Sequence, residues 1–129
     1  MPIEYTIDHN RRLVLARVKG VLSEQDVYGY QYEVWSKPEV KGYSELIDMT
    51  EVTSIENPDP QKMQKLAEVA ARMQPDVSAR FAVVAPGDVS FGIARMYQAY
   101  RSMTTVHGEK NVGVFRSMPE AFAFLEVKD

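Results

Sequence analysis

At 129 residues the chain has the length of one domain and can bury about two-thirds of the surface its unfolded form exposes, enough for a core without covalent staples. Its 15 basic and 18 acidic side chains are interspersed and leave a net charge of -3, which gives no general field to attract nucleic acid or anionic lipid. Cysteine is absent, so disulfides, thiol nucleophiles and thiolate metal sites are excluded; the start MPIEYTIDHNRR holds no long apolar run as a signal peptide would, and nothing later reaches the roughly 18 apolar residues of a membrane span, so a cytoplasmic protein with no membrane span and no nucleic-acid partner is expected.

Ile3, Tyr5 and Ile7 alternate with Glu4, Thr6 and Asp8, the period of an edge strand wet on one face. His9-Asn10-Arg11 suits a turn into a second, deeper strand, Leu13 to Val18, closed by Gly20. Ser23 with Asp26 three residues on resembles a capping box and opens a helix running to about Ser36, before Pro38. Val27, Tyr30 and Val34 form its core stripe, while Tyr28, Tyr32 and Trp35 fall within about 60° of one another on a flank beside it. Two accounts of that flank stand: rings covering the rim of the core, or an anchor for a partner or ligand.

After a loop, Glu45 to Met49 reads as a short strand carrying Asp48 near its carboxyl end, where open α/β sheets place functional groups and where an acid can equally well accept bonds from loop amides. Residues 50–59 read as a connection, Asp59 as a cap with Pro60 in the first helical turn, and Met63, Leu66, Ala67, Ala70 and Met73 as the inward face of a second helix. Phe81 to Ala85 is too continuous for a strand with one wet face and belongs in the middle of a parallel sheet. Pro86-Gly87 suits a type II turn with positive φ at the glycine, and Asp88 or Ser90 is the expected cap of a third helix. Val89, Ile93, Met96, Tyr97, Tyr100 and Met103 make that helix's expected inward stripe, leaving Arg95, Gln98 and Arg101 beside it as a solvated face or an anion contact. Asn111 to Phe115 gives the last strand, and Ser117 opens a closing helix. The order is ββαβαβαβα: an α/β domain with a mostly parallel sheet and an antiparallel edge strand.

No G-x-S-x-G elbow, P-loop, G-x-G-x-x-G or HExxH is present, and His9 and His107 are about a hundred residues apart. No catalytic residue, metal or cofactor is therefore expected. Asp48, Glu51, Glu56, Asp59 and Asp88 all fall near the carboxyl edge of the expected sheet, as self-capping acids or as oxygen ligands of a divalent cation.

The stretch LIDMTEVTSIENPDPQKMQKLA, residues 46–67, resembles the STAS domains, whose central strand runs through a loop into a helix bearing a regulatory serine. VKGVLSEQD at 18–26 and AVVAPGDVSFGIARMYQAYR at 82–101 are more similar to the small bacterial SpoIIAA-like proteins, a group of STAS and CRAL-TRIO-like domains, and that resemblance spans nearly the whole chain. Aligned through Val52 and Ile55, Glu56 and Asn57 stand where the antagonists carry an aspartate and a phosphorylatable serine, so the resemblance implies a STAS-like fold without the phosphate acceptor.

The expected function is thus a non-enzymatic interaction or regulatory module, acting on an unknown protein partner or on itself as a homodimer. Tyr28, Tyr32, Trp35, Arg95 and Gln98 are its candidate surface, and Asp48, Glu56 and Asn57 its candidate loop site. The alternative that the CRAL-TRIO side of the resemblance implies is a protein that binds a small apolar or lipid-like ligand. A third is an enzyme with Asp48 or Glu56 as general base.

Overall fold

The computed structural model describes residues 2–75, 78–104 and 111–127; His107 lies outside them. Its elements are β1 (Ile3–Asp8), β2 (Leu13–Leu22), α1 (Glu24–Trp35), a 3-10 turn (Pro38–Val40), β3 (Ser44–Ile55), α2 (Pro60–Met73), β4 (Phe81–Val84), α3 (Asp88–Thr104), β5 (Val112–Phe115) and α4 (Met118–Leu125). The strands lie side by side in the order β1-β2-β3-β4-β5. β1 is antiparallel to β2 and the other pairs are parallel, the mixed α/β sheet expected from the order of elements.

Each crossover from β2 onward steps one strand in the same direction, so right-handed connections put all three crossover helices on one face. The side chains agree. Val14, Ala16 and Val18 of β2 face this layer, the first two against Tyr30 and Val34 of α1, and Phe81 and Val83 of β4 face Ala94 of α3. The alternate residues Leu13, Leu46, Ala82 and Val84 face Ala121, Phe122 and Leu125 of α4 on the opposite side. This two-sided cover is why β4 is buried throughout. It is an interior strand between β3 and β5, although β3 rather than β4 stands at the middle of the order.

The helix starts follow local chemistry. Ser23 Oγ accepts from the Asp26 amide at 3.2 Å while the Asp26 carboxyl accepts from the Ser23 amide at 3.1 Å, the reciprocal pair of a capping box. Asp59 accepts from the Gln61 amide at 2.8 Å, with Pro60 in the first turn of α2.

Three expectations are corrected. β3 does not stop at Met49 but runs to Ile55, because its β-branched tract pairs with a bulged stretch of β2 from Lys19 to Leu22, where Gly20 takes a φ of 71°. Gly87 is not a positive-φ turn residue; those glycines, among the described residues, are Gly20 and Gly42. Its carbonyl instead accepts the Phe91 amide at 2.8 Å, so Gly87 itself is the cap position and α3 begins at Asp88. Finally, α3 is rotated from the expected stripe: Val89, Met96 and Met103 are 78%, 39% and 76% exposed, while Ala94 and Arg101 are buried. The rotation is set by Phe81, whose ring meets Tyr97 edge-on and lies beneath the Arg101 guanidinium. Polar side chains thereby take inward positions that an apolar pattern assigns outward.

Candidate functional site

α2 packs chiefly on α3 and lightly on α1. Between α2 and the sheet lies a cavity of about 160 Å³. Its walls include Val18, Ile47, Met49, Met63, Val83 and Ala94, contributed by three strands and two helices. At the carboxyl end of β3 the lining residues Glu56, Asn57, Pro58, Asp59 and Lys62 are exposed and form the mouth. At the amino end of β3 the lining is Tyr30, Gln31, Glu45 and Arg101, all buried, with Tyr97 beside them.

Glu45 organises that buried end. Its Oε2 accepts from the Tyr30 hydroxyl at 2.6 Å and from Trp35 Nε1 at 3.2 Å, and its Oε1 accepts from Gln74 Nε2 at 3.0 Å. Gln74, the residue that ends α2, in turn accepts from Gln31 Nε2 at 3.0 Å. A carboxyl group that is only 2% exposed requires such partners, because an unbonded one would carry its full desolvation cost. Arg101 Nη1 donates to the Tyr97 hydroxyl at 3.2 Å and its guanidinium lies 4.7 Å from the Phe81 ring centroid. Burial, reinforced by the charge of Glu45 and the hydrogen bond to it, pushes the Tyr30 phenol well above its ordinary value. Tyr97 is pushed up by burial and by Glu45, with Arg101 opposing.

The residues singled out in the sequence are not gathered at one place. Asp48 lies on the α4 side of the sheet with Leu46, accepts from the amide of Thr50 at 2.9 Å and from its hydroxyl, and stands 3.8 Å from Arg17. Glu56 and Asn57 lie at the cavity mouth, exposed, with Asn57 at a φ of 45°. On α1, Tyr28 and Tyr32 stack with centroids 6.3 Å apart and Tyr32 is 54% exposed. Trp35, expected on the same flank, is buried, because the chain after α1 returns over it through Val40 and Tyr43. Arg95 is exposed, whereas Gln98 donates to the Val112 carbonyl at 2.8 Å and ties α3 to β5.

Sequence reasoning passed over Glu45, Tyr97 and Arg101 as a group. One signal was available for Glu45: it alternates with Ile47 and Met49, so strand parity sends it to the same covered face. Among the described residues no group of three His, Asp or Glu side chains is arranged to hold a metal ion, and no helix is long and apolar enough to cross a membrane.

A scan against protein-family models finds no match, and a comparison with curated proteins finds none. Among solved structures, the chain is similar to an uncharacterized protein of the DUF3478 family with a SpoIIAA-like fold, from Shewanella loihica PV-4. The match covers 95% of this chain and 91% of that one, with a TM-score of 0.59 and 18% identity. The chain has a SpoIIAA-like fold. Identity at that level speaks for the fold alone, so the resemblance drawn from residues 18–26 and 82–101 holds at the level of architecture. Within this SpoIIAA-like fold the cavity is placed by the common direction of the three crossovers, which stack α1, α2 and α3 over a single sheet face.

Proposed function

We propose that this SpoIIAA-like protein is a non-enzymatic binding module that takes a small apolar ligand into the cavity beneath α2. The observation that carries this function is the cavity of about 160 Å³ with apolar walls and its polar groups confined to one buried end and one exposed mouth. An apolar cavity of about 150 Å³ admits a benzene-sized molecule, so the space suits a ring or a short aliphatic group and is smaller than the roughly 300 Å³ at which drug-sized pockets begin. Tyr30, Trp35 and Gln74 are committed to Glu45, which favours holding a ligand over performing chemistry on it. In this function the module is not switched by phosphorylation, a reading supported by the STAS resemblance, which sets Asn57 where the antagonists carry a phosphorylatable serine. Methyl NMR of Ile47, Met49 and Met63 during titration with toluene tests the proposal. Saturable shifts at the methyl groups of these three residues are expected, and shifts confined to surface methyls would overturn it.

A second function, contact with another copy of the chain, is favoured by one observation. Val89, Met96 and Met103 recur at seven-residue spacing along α3 and are all exposed, an apolar row of the kind that helices bury against helices. The stacked Tyr28 and Tyr32 on α1 are the competing surface.

A further inference from the structure

We infer that the ligand is a phenol, a compact neutral aromatic molecule with one hydroxyl group that donates to Glu45 Oε1, an inference that rests on the ligand-binding function proposed above. Glu45 accepts two hydrogen bonds on Oε2 and one on Oε1, while a carboxyl group offers about four acceptor positions. Glu45 lines the buried end of the apolar cavity, and its Oε1 accepts a single hydrogen bond, from Gln74. A ligand hydroxyl at that end has a second acceptor position on Oε1 to donate to.

Charge narrows the donor. A ligand carboxylate would meet Glu45 inside and Glu24, Glu56 and Asp59 along the lining, against Lys62 near the mouth. Arg101 is the cation at the buried end, but its guanidinium is already placed on the Tyr97 hydroxyl and the Phe81 ring. A ligand ammonium would have to shed its hydration to pass apolar walls, which is costly without a full set of partners. A neutral hydroxyl has neither difficulty.

The walls narrow the body of the ligand. Tyr30, Phe81 and Tyr97 all line the cavity, and Phe81 and Tyr97 meet edge to face with centroids 5.8 Å apart. A third ring can pack against such a pair in the offset or edge-on arrangements that aromatic groups prefer. The volume suits a single ring with a small substituent.

Isothermal titration of the full chain with p-cresol, toluene and p-toluate tests the inference, because the three share one ring and differ only in the polar group. The expected result is p-cresol binding about tenfold or more tightly than toluene, as one hydrogen bond to a carboxyl acceptor supports, with no binding of p-toluate. Toluene or p-toluate binding as tightly as p-cresol would overturn the phenol assignment while leaving the ligand-binding function standing. Absence of binding by all three would overturn that function itself. Leu66→Trp, which places an indole in the cavity from a partly buried position on α2, is expected to abolish p-cresol binding while keeping the wild-type urea midpoint within error. Retained binding in the folded variant would overturn the cavity as the site. If Leu66→Trp does not fold, the ranking of the three ligands on the wild-type protein decides alone.

Discussion

The Tyr30 hydroxyl donates to Glu45 Oε2 at 2.6 Å with both side chains almost fully buried, and this bond joins the start of β3 to the middle of α1. Trp35 shares the same acceptor oxygen, and Gln74 reaches the other one from the end of α2. One buried carboxyl group thus holds together the strand and the two helices that close the inner end of the cavity.

Tyr30→Phe removes one of those donors and little volume. Loss of a bond to a buried, charged acceptor is expected to lower stability by about 1–3 kcal/mol. Because Gln74 bonds the same carboxyl group, Tyr30→Phe and Gln74→Ala are expected to be non-additive. Urea denaturation of the two single variants and the double variant measures the coupling; a sum of independent effects within error would mean that Glu45 is not the shared acceptor.

Alkaline pH is expected to destabilise the fold through Tyr30 and Tyr97. Both phenols are raised above the ordinary value of 10.0, chiefly by burial, so the folded state holds their protons more tightly than the unfolded chain does. The sign follows: their contribution is complete below pH 10.0 and is lost as pH rises from there toward the folded-state values. Urea midpoints between pH 8 and pH 11, approximately the range spanning the tyrosine titration, should fall at the alkaline end, and should fall less in Tyr30→Phe. A flat profile would show that the two phenols titrate as in the unfolded chain.

Much of the architecture was legible because its signals are local. The Ser23 and Asp26 pair, the Asp59-Pro60 start and the alternation of Ile3, Tyr5 and Ile7 each act within a few residues. The cavity was not legible, because its polar end is assembled over long range: Glu45 meets Tyr30, Trp35 and Gln74 from 15, 10 and 29 residues away. Trp35 shows the same limit. A helical wheel gives its direction, but its burial depends on Val40 and Tyr43 folding back after the helix. Residues 50–55 are polar enough to pass for a loop, and pairing with the end of β2 makes them strand.

The glycines separate packing from conformation. A Cβ at Gly113 would stand 2.6 Å from two ring atoms of Phe115 and 3.3 Å from Phe124, and those rings pack against each other with centroids 5.2 Å apart. Gly113→Ala is therefore expected to destabilise by about 1–3 kcal/mol, the usual cost of overpacking. Gly29 has open space around it in mid-helix, so Gly29→Ala is expected to be stabilising by up to about 1 kcal/mol. At Gly87, without a positive φ, the nearest atom to an added Cβ is Ser90 Oγ at 3.5 Å, and Gly87→Ala is expected to lie between the two. Thermal or urea midpoints of the three variants test the ranking, and equal effects at Gly113 and Gly29 would refute it.

The two candidate contact surfaces make opposite demands on self-association. The α1 flank retains Tyr28 and Tyr32 but loses Trp35 to the core, leaving two stacked rings that already cover part of each other. The α3 row keeps Val89, Met96 and Met103 exposed at heptad spacing over a helix of 17 residues, long enough for a second helix to pack along it. Symmetric dimers are the commonest assembly, and the α3 row is the expected contact. Met96→Glu should then lower the sedimentation coefficient toward that of a monomer, whereas Tyr32→Glu should leave it unchanged. Trp35 emission should stay at short wavelength in both variants, since its environment is made within one chain by Val40, Tyr43 and Glu45. A shift to monomer with Tyr32→Glu alone would move the contact to α1, and a wild type that sediments as a monomer at all concentrations would remove self-association from either surface.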